Sequence, residues 1–257
     1  MFPLKDNLPT RDLPLVTILL IVANVVAYVL LQPKSGIDLG GGSLENGPLF
    51  HYGAIPYELT HPGQHCEVVA GGTAARCGTG LGNGGIPTAL SLFTAMFTHA
   101  GLLHLGGNML FLWIFGNNVE DSMGRARFVL FYLLGGLAAT AGQTLVEPNA
   151  IVPTLGASGA VAGVLGGYIL LYPRAKVLTL VFVVLFFTIL ELPAILFLGI
   201  WFGQQLLFGA LDLTNPAGGG GGVAYLAHVG GFVFGALFIK LFATRRNEYA
   251  QPRGLAS

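Results

Sequence analysis

Charge is scarce in this chain. Of 257 residues only 12 are Lys or Arg and 12 Asp or Glu, 9% in all, where an average soluble domain carries about 25%. The two signs cancel and neither is gathered into a basic arm or an acidic tail, so nothing in the charge pattern calls for a nucleic-acid partner. No long polar block interrupts the sequence, which leaves one membrane domain to account for nearly all of it. Cysteine is nearly absent, limited to Cys66 and Cys77, and His51, His61 and His65 lack the spacing of metal ligands. No metal and no cofactor are therefore expected. What abounds is apolar: hydrophobic residues make up 53% of the chain and the mean hydropathy is +0.71.

Six runs approach the roughly 20 apolar residues of a membrane-crossing helix. They are Leu13 to Leu31, His99 to Gly116, Ala126 to Val146, Thr154 to Tyr172, Leu192 to Gly209 and Val223 to Phe242. The first exceeds the about 7 to 15 residues of a signal-peptide core and no cleavage pattern follows it, so it is read as a retained helix. Ahead of the fifth, VLTLVFVVLFFTIL supplies only 14 residues before Glu191 and Pro193, and a run that short is read as interfacial or folded back. Charge placement agrees. With the N-terminus inside, six spans put Lys5, Arg11, Arg125, Arg127, Arg174, Lys176, Lys240, Arg245, Arg246 and Arg253 in the cytoplasm and leave Lys34 and Arg76 outside. A seventh span would expel the last four.

The expectation is an all-α membrane protein, a multi-pass six-helix bundle in a lipid bilayer with both termini cytoplasmic. Residues 1–12 form the cytoplasmic N-terminus, 13–243 the membrane domain with an external loop over about 32–98 between helices one and two, and 244–257 the cytoplasmic tail. Cys66 and Cys77 fall on the oxidising side under this topology, where a disulfide closing a short loop and two free thiols are the two readings, the disulfide preferred.

Helices two, four and six then run inward, and each opens with a polar side chain. His104 and Asn108, four apart, share one face of helix two on the order of 10 Å below the outer surface. Ser158 sits at a similar depth in PTLGASGAVAGVLGG, and His228 in GGVAYLAHVGGFVFG. His99 is about 140° around the helix from His104 and is read as a boundary residue bonding loop backbone. Alone, Ser158 belongs to a small-residue stripe of Gly156, Gly159, Gly163 and Gly167 suited to close helix packing. A serine, two histidines and an asparagine in one layer nevertheless define a site, because polar rings in hydrocarbon need partners or a wet cavity.

The chemistry of such a set is acyl transfer. A serine hydroxyl becomes nucleophilic when an imidazole takes its proton, and donors must meet the developing oxyanion. Ser158 and His228 suit the first task; His104, Asn108 and the backbone N–H of Ser158 suit the second. Carboxylates such as Glu120, Asp121 and Glu191 lie at the inner edge, so a dyad is expected rather than a triad. Gly159 and Gly163 on helix four and Gly231 and Gly235 on helix six would let the two backbones approach.

These residues resemble the rhomboid intramembrane serine proteases. HAGLLHLGGNMLFLWIFGNNVEDSMG resembles the family's His, His, Asn segment with its inner-end Glu; GASGAVAG resembles the Gly-x-Ser-Gly nucleophile motif; and AHVGGFVFG resembles the histidine motif of the last helix. YGAIPYELT looks like bacterial members. The resemblance implies a six-helix fold in a bacterial plasma membrane and hydrolysis of peptide bonds near the outer end of transmembrane protein substrates. It implies Ser158 as nucleophile, His228 as base, and His104 and Asn108 in the oxyanion hole. Where some members carry a tyrosine that stacks on the base, this chain has Ala162. An inactive rhomboid-like binding protein and a small-solute transporter are the alternatives, the latter without a visible internal repeat. The fifth helix is expected to act as a lateral gate, its outer part resting on helix two.

Overall fold

Apolar helices running alternately up and down bring one end of the molecule to Ser158 and the other to a small sheet. The computed structural model describes residues 1–31, 47–69, 75–81, 86–183, 186–214 and 223–244. Most of the glycine-rich part of the first loop, Lys34, Arg245, Arg246 and Arg253 lie outside the described residues. The order is β1 (Phe2–Asp6), α1 (Leu15–Leu31), α2 (Gly47–Tyr52), α3 (Pro56–Thr60), β2 (Gln64–Val68), β3 (Ala75–Thr79), α4 (Thr88–Thr94), α5 (Leu102–Phe111), α6 (Asn117–Met123), α7 (Arg125–Val146), α8 (Ser158–Leu171), β4 (Lys176–Val183), β5 (Phe186–Pro193), α9 (Ala194–Thr214) and α10 (Tyr225–Phe242). Among the described helices, α7, α9 and α10 are long and apolar enough to cross a membrane. A fourth crossing is counted if Thr88–Phe97 and Leu102–Met123, bent by 79°, are taken together. The apolar helices α1 and α8 are shorter.

The all-α expectation needs correction. The chain carries two antiparallel sheets, β1-β4-β5 and β2-β3. The short run ahead of α9 is a hairpin, with Lys176 opposite Pro193 and Val183 opposite Phe186. Its valines, phenylalanines and threonines fit a pleated strand better than a helix. The hairpin returns the chain to where α8 ends, since Ala194 N–H donates to Ala175 O at 2.7 Å and Ile195 N–H to Pro173 O at 3.0 Å. That run therefore contributes one helix. β1 pairs with β4 and shifts register between Pro3 and Lys5, where proline has no N–H for the ladder.

The second predicted span also ends later than expected. Leu112–Gly116 is wound as a single π-helical segment and α6 continues through Asn117–Met123. The reason is a polar lock at the sheet end. Glu120, 3% exposed, accepts the N–H groups of Val16 at 3.0 Å and Thr17 at 2.8 Å, and the Thr17 hydroxyl at 2.8 Å. A carboxylate thus satisfies the orphan donors of the α1 N-terminus, the end where a negative charge is favoured. Beside it, Asp6 accepts Tyr168 Oη–H at 2.6 Å and Asn118 Nδ2–H at 2.8 Å, fixing β1 to α8 and α6.

At the opposite end, Phe50, Ile55 and Cys66 make a small core of their own beneath α2, α3 and the β2-β3 hairpin. Cys66 and Cys77 are directly opposite in that hairpin and joined by a disulfide. This cap grips the chain leading to Ser158: Ala54 and Thr154 exchange both backbone hydrogen bonds, at 3.0 and 2.8 Å, and Tyr57 N–H donates to Ala150 O at 3.0 Å.

α8 and α10 pack with their backbones almost touching. A Cβ on Gly231 or Gly235 would overlap the carbonyl oxygen of Gly159 or Gly163, and one on Gly159 would overlap the Ala139 side chain. Small residues are what permit such close approach within a membrane. Gln143 of α7 accepts Ala227 N–H at 3.1 Å, fixing the start of α10.

Candidate active site

Ser158 is the first residue of α8, not a residue one turn inside it as the span from Thr154 implied. Pro153 and Gly156, the latter with φ +103°, keep the preceding chain out of helical geometry. The 14 residues of α8 extend about 21 Å, against about 33 Å for the 22 of α7. The chain leaving α7 must therefore dip back toward the middle of the bundle to reach Ser158. That dip is shielded: Gly156 N–H donates to Ala95 O at 2.8 Å and Ala157 N–H to His99 Nε2 at 3.4 Å. Non-helical backbone at such a level is tolerated where protein covers it or a cavity adjoins it.

His228 stands in the first turn of α10, and its Nε2 lies 2.7 Å from Ser158 Oγ. Its Nδ1 lies 2.8 Å from Gln205 Oε1 of α9. The aromatic neighbour of the imidazole is Trp201, also on α9, with ring centroids 6.0 Å apart. Position 162, where a stacking tyrosine would stand, holds a fully buried alanine facing Gly231. The ring of a tyrosine there would need the space that α10 occupies.

His104 and Asn108 approach the same serine from α5. A Cβ on Gly156 would stand 2.6 Å from His104 Nε2 and 3.4 Å from Asn108 Nδ2. The Asn108 amide nitrogen is buried without a hydrogen-bond partner among the described residues, a donor available to a ligand. His104, Asn108, Gly156, Ser158, Gly159 and His228 all line a cavity of about 440 Å³. His99 does not; it lies before α5, buried, with its ring edge-on to His104 at 5.1 Å. Gly231 stands behind the site, between α8 and α10. Among the described residues no cluster of three or more His, Cys, Asp or Glu is placed to hold a metal.

Gln205 is the residue that sequence reasoning missed. Its signal is present: Gln204 and Gln205 interrupt LPAILFLGIWFGQQLLFG, a stretch otherwise without strongly polar side chains. The expected contact of the outer part of α9 with α5 is also replaced. α9 meets α5 near the end that follows β5, through Phe197 and Phe111 at 6.3 Å, whereas Phe202 stacks on Phe232 of α10 at 4.3 Å and Phe208 faces Tyr225 at 5.5 Å.

Ser158 thus meets an imidazole in a cavity enclosed by apolar helices. A family profile described as Rhomboid domain covers residues 87–245, and the chain belongs to the rhomboid family. It is 33% identical over 160 residues to rhomboid protein 1, mitochondrial, of Saccharomyces cerevisiae, covering 60% of this chain and 42% of that protein. It is 30% identical over 153 residues to the presenilin-associated rhomboid-like protein A, mitochondrial, of Danio rerio, covering 58% and 37%. A Bacillus subtilis relative whose name carries the word rhomboid is 37% identical over 78 residues, covering 30% and 39%. The chain thus spans about two fifths of the length of these curated relatives. With its apolar helices, it is an integral membrane protein of a family that includes intramembrane serine proteases. The mitochondrial names lend no support to the expected bacterial plasma membrane.

Proposed function

We propose that this protein is an intramembrane serine endopeptidase that cleaves transmembrane protein substrates near the outer end of their membrane span. The observation that carries the reading is the 2.7 Å contact between Ser158 Oγ and His228 Nε2 inside a cavity bounded by apolar helices. His228 Nε2 takes the hydroxyl proton as Ser158 Oγ attacks the scissile carbonyl, and the oxygen of that carbonyl becomes an oxyanion. His104, the Asn108 amide and the Ser158 N–H, free of an intrahelical partner at the helix start, supply donors to it. The protonated His228 then passes its proton to the leaving amine. Water, deprotonated by the same imidazole, releases the acyl group and restores Ser158. Neither step needs a metal or an organic cofactor.

Orientation follows from charge. Lys5, Arg11, Arg125, Arg127, Arg174, Lys176 and Lys240 all belong to elements at the sheet end, against Arg76 at the other end among the described residues. We place the sheet end in the cytoplasm, Ser158 toward the outer face, and six helices across the bilayer. The substrate helix enters by displacing α9, whose exposed Ile195, Leu196, Leu206 and Leu207 face outward, and unwinds to present its carbonyls.

Reconstituted protein is expected to release defined fragments from a single-span substrate, most readily when glycine or another weak helix former lies near the external end of that span. Ser158→Ala should give none while remaining folded. Cleavage by that variant would overturn the assignment.

A further inference from the structure

We propose that Gln205 is a positioning residue for the base, so that α9 completes the machinery formed by Ser158 and His228. The inference rests on the reading of those two residues as nucleophile and base. Gln205 is 7% exposed in the middle of an apolar helix, and a buried carboxamide there is costly unless both its ends are satisfied. Its Nε2 donates to Trp201 O at 3.4 Å and its Oε1 faces His228 Nδ1 at 2.8 Å. The first contact fixes the second. A backbone carbonyl can only accept, so the amide nitrogen belongs on that side and the amide oxygen on the side of His228. An amide oxygen accepts in turn, so Nδ1 must carry the proton. The lone pair of neutral His228 is thereby left on Nε2, 2.7 Å from Ser158 Oγ, which is the tautomer that can take the serine proton.

Two consequences follow. The carboxamide does for this base what a carboxylate does in a triad, holding orientation and tautomer without adding charge to a low-dielectric site. And because Gln205 and Trp201 both ride on α9, movement of α9 away from α10 removes the partner of Nδ1 and the ring beside it together. The base is fully set only when α9 is seated.

The test uses the full-length protein in micelles, with a small fluorophosphonate as probe of Ser158 and a transmembrane substrate for kcat and KM. Gln205→Leu should slow labelling by about 10-fold or more, part of the roughly 100- to 10,000-fold a positioned base supplies, and lower kcat with KM little changed. Gln205→Glu keeps an acceptor facing Nδ1. It should recover most of the labelling rate and move the acid limb of the pH profile upward, because a carboxylate beside the imidazole favours its charged form. Equal labelling rates and superimposable pH profiles in wild type and both variants would overturn the inference while the nucleophile assignment stands. Absence of labelling in the wild type would instead overturn the reading on which it rests.

Discussion

Gly156 adopts φ +103° and faces His104 so closely that a Cβ would stand 2.6 Å from its Nε2. An alanine there combines a left-handed backbone, costing about 1–3 kcal/mol, with displacement of the His104 ring, the proposed oxyanion donor. Gly156→Ala should therefore lower the unfolding temperature and depress kcat more than Gly159→Ala lowers kcat; equal activities of Gly156→Ala and wild type would contradict the assigned cradle. At the other end, burial pushes the Asp6 carboxyl up from its ordinary 3.8 to about 6, against the hydrogen bonds from Tyr168 and Asn118. A carboxyl raised on folding favours the protonated folded state. Its contribution is fully present below about pH 4, is lost as pH rises through about 6, and changes no further above that. Asp6→Asn removes the buried charge and keeps an acceptor, so protection of β1 amides from hydrogen exchange should exceed wild type at pH 7 and match it near pH 4. A difference independent of pH would refute this.

Among the elements, α9 bears the most testable role. Phe202 stacks on Phe232, and trimming it eases the opening of α9 while leaving Gln205 and Trp201 able to reseat beside His228, so Phe202→Ala should speed cleavage of a transmembrane substrate and leave fluorophosphonate labelling unchanged. Trp201 lies beside His228, and Trp201→Ala should instead slow fluorophosphonate labelling. Identical effects of the two substitutions on both readouts would contradict this division. Sequence alone assigns both residues to one gate helix without distinction, because it cannot tell which face of an evenly apolar helix meets the base. The same limit explains the β4-β5 hairpin: a continuous apolar run has no period to separate strand from helix, and only its length argued against a crossing. What was legible was polarity out of place. His104, Asn108, Ser158 and His228 stand out because hydrocarbon makes each of them costly. Gln205 obeys the same rule, but it neighbours no recognisable motif.

On the scale of the whole molecule, two polar layers are separated by an apolar middle. The lower one ties β1, α1, α6 and α8 together through Glu120, Asp6 and Asn118. The upper one gathers α5, α8, α9 and α10 around Ser158. The depth of the serine, estimated from sequence by counting residues into a helix, arises instead from the shortness of α8, which is set by Pro153 and Gly156 and held by the disulfide-closed cap through Ala54 and Thr154. The most direct test of the account is to treat the protein with a fluorophosphonate and locate the adduct by peptide mass spectrometry. A single modified serine, Ser158, is expected in the wild type, and its loss in His228→Ala; modification of Ser158 at an unchanged rate without His228, or no modification of Ser158 at all, would contradict the Ser158–His228 dyad.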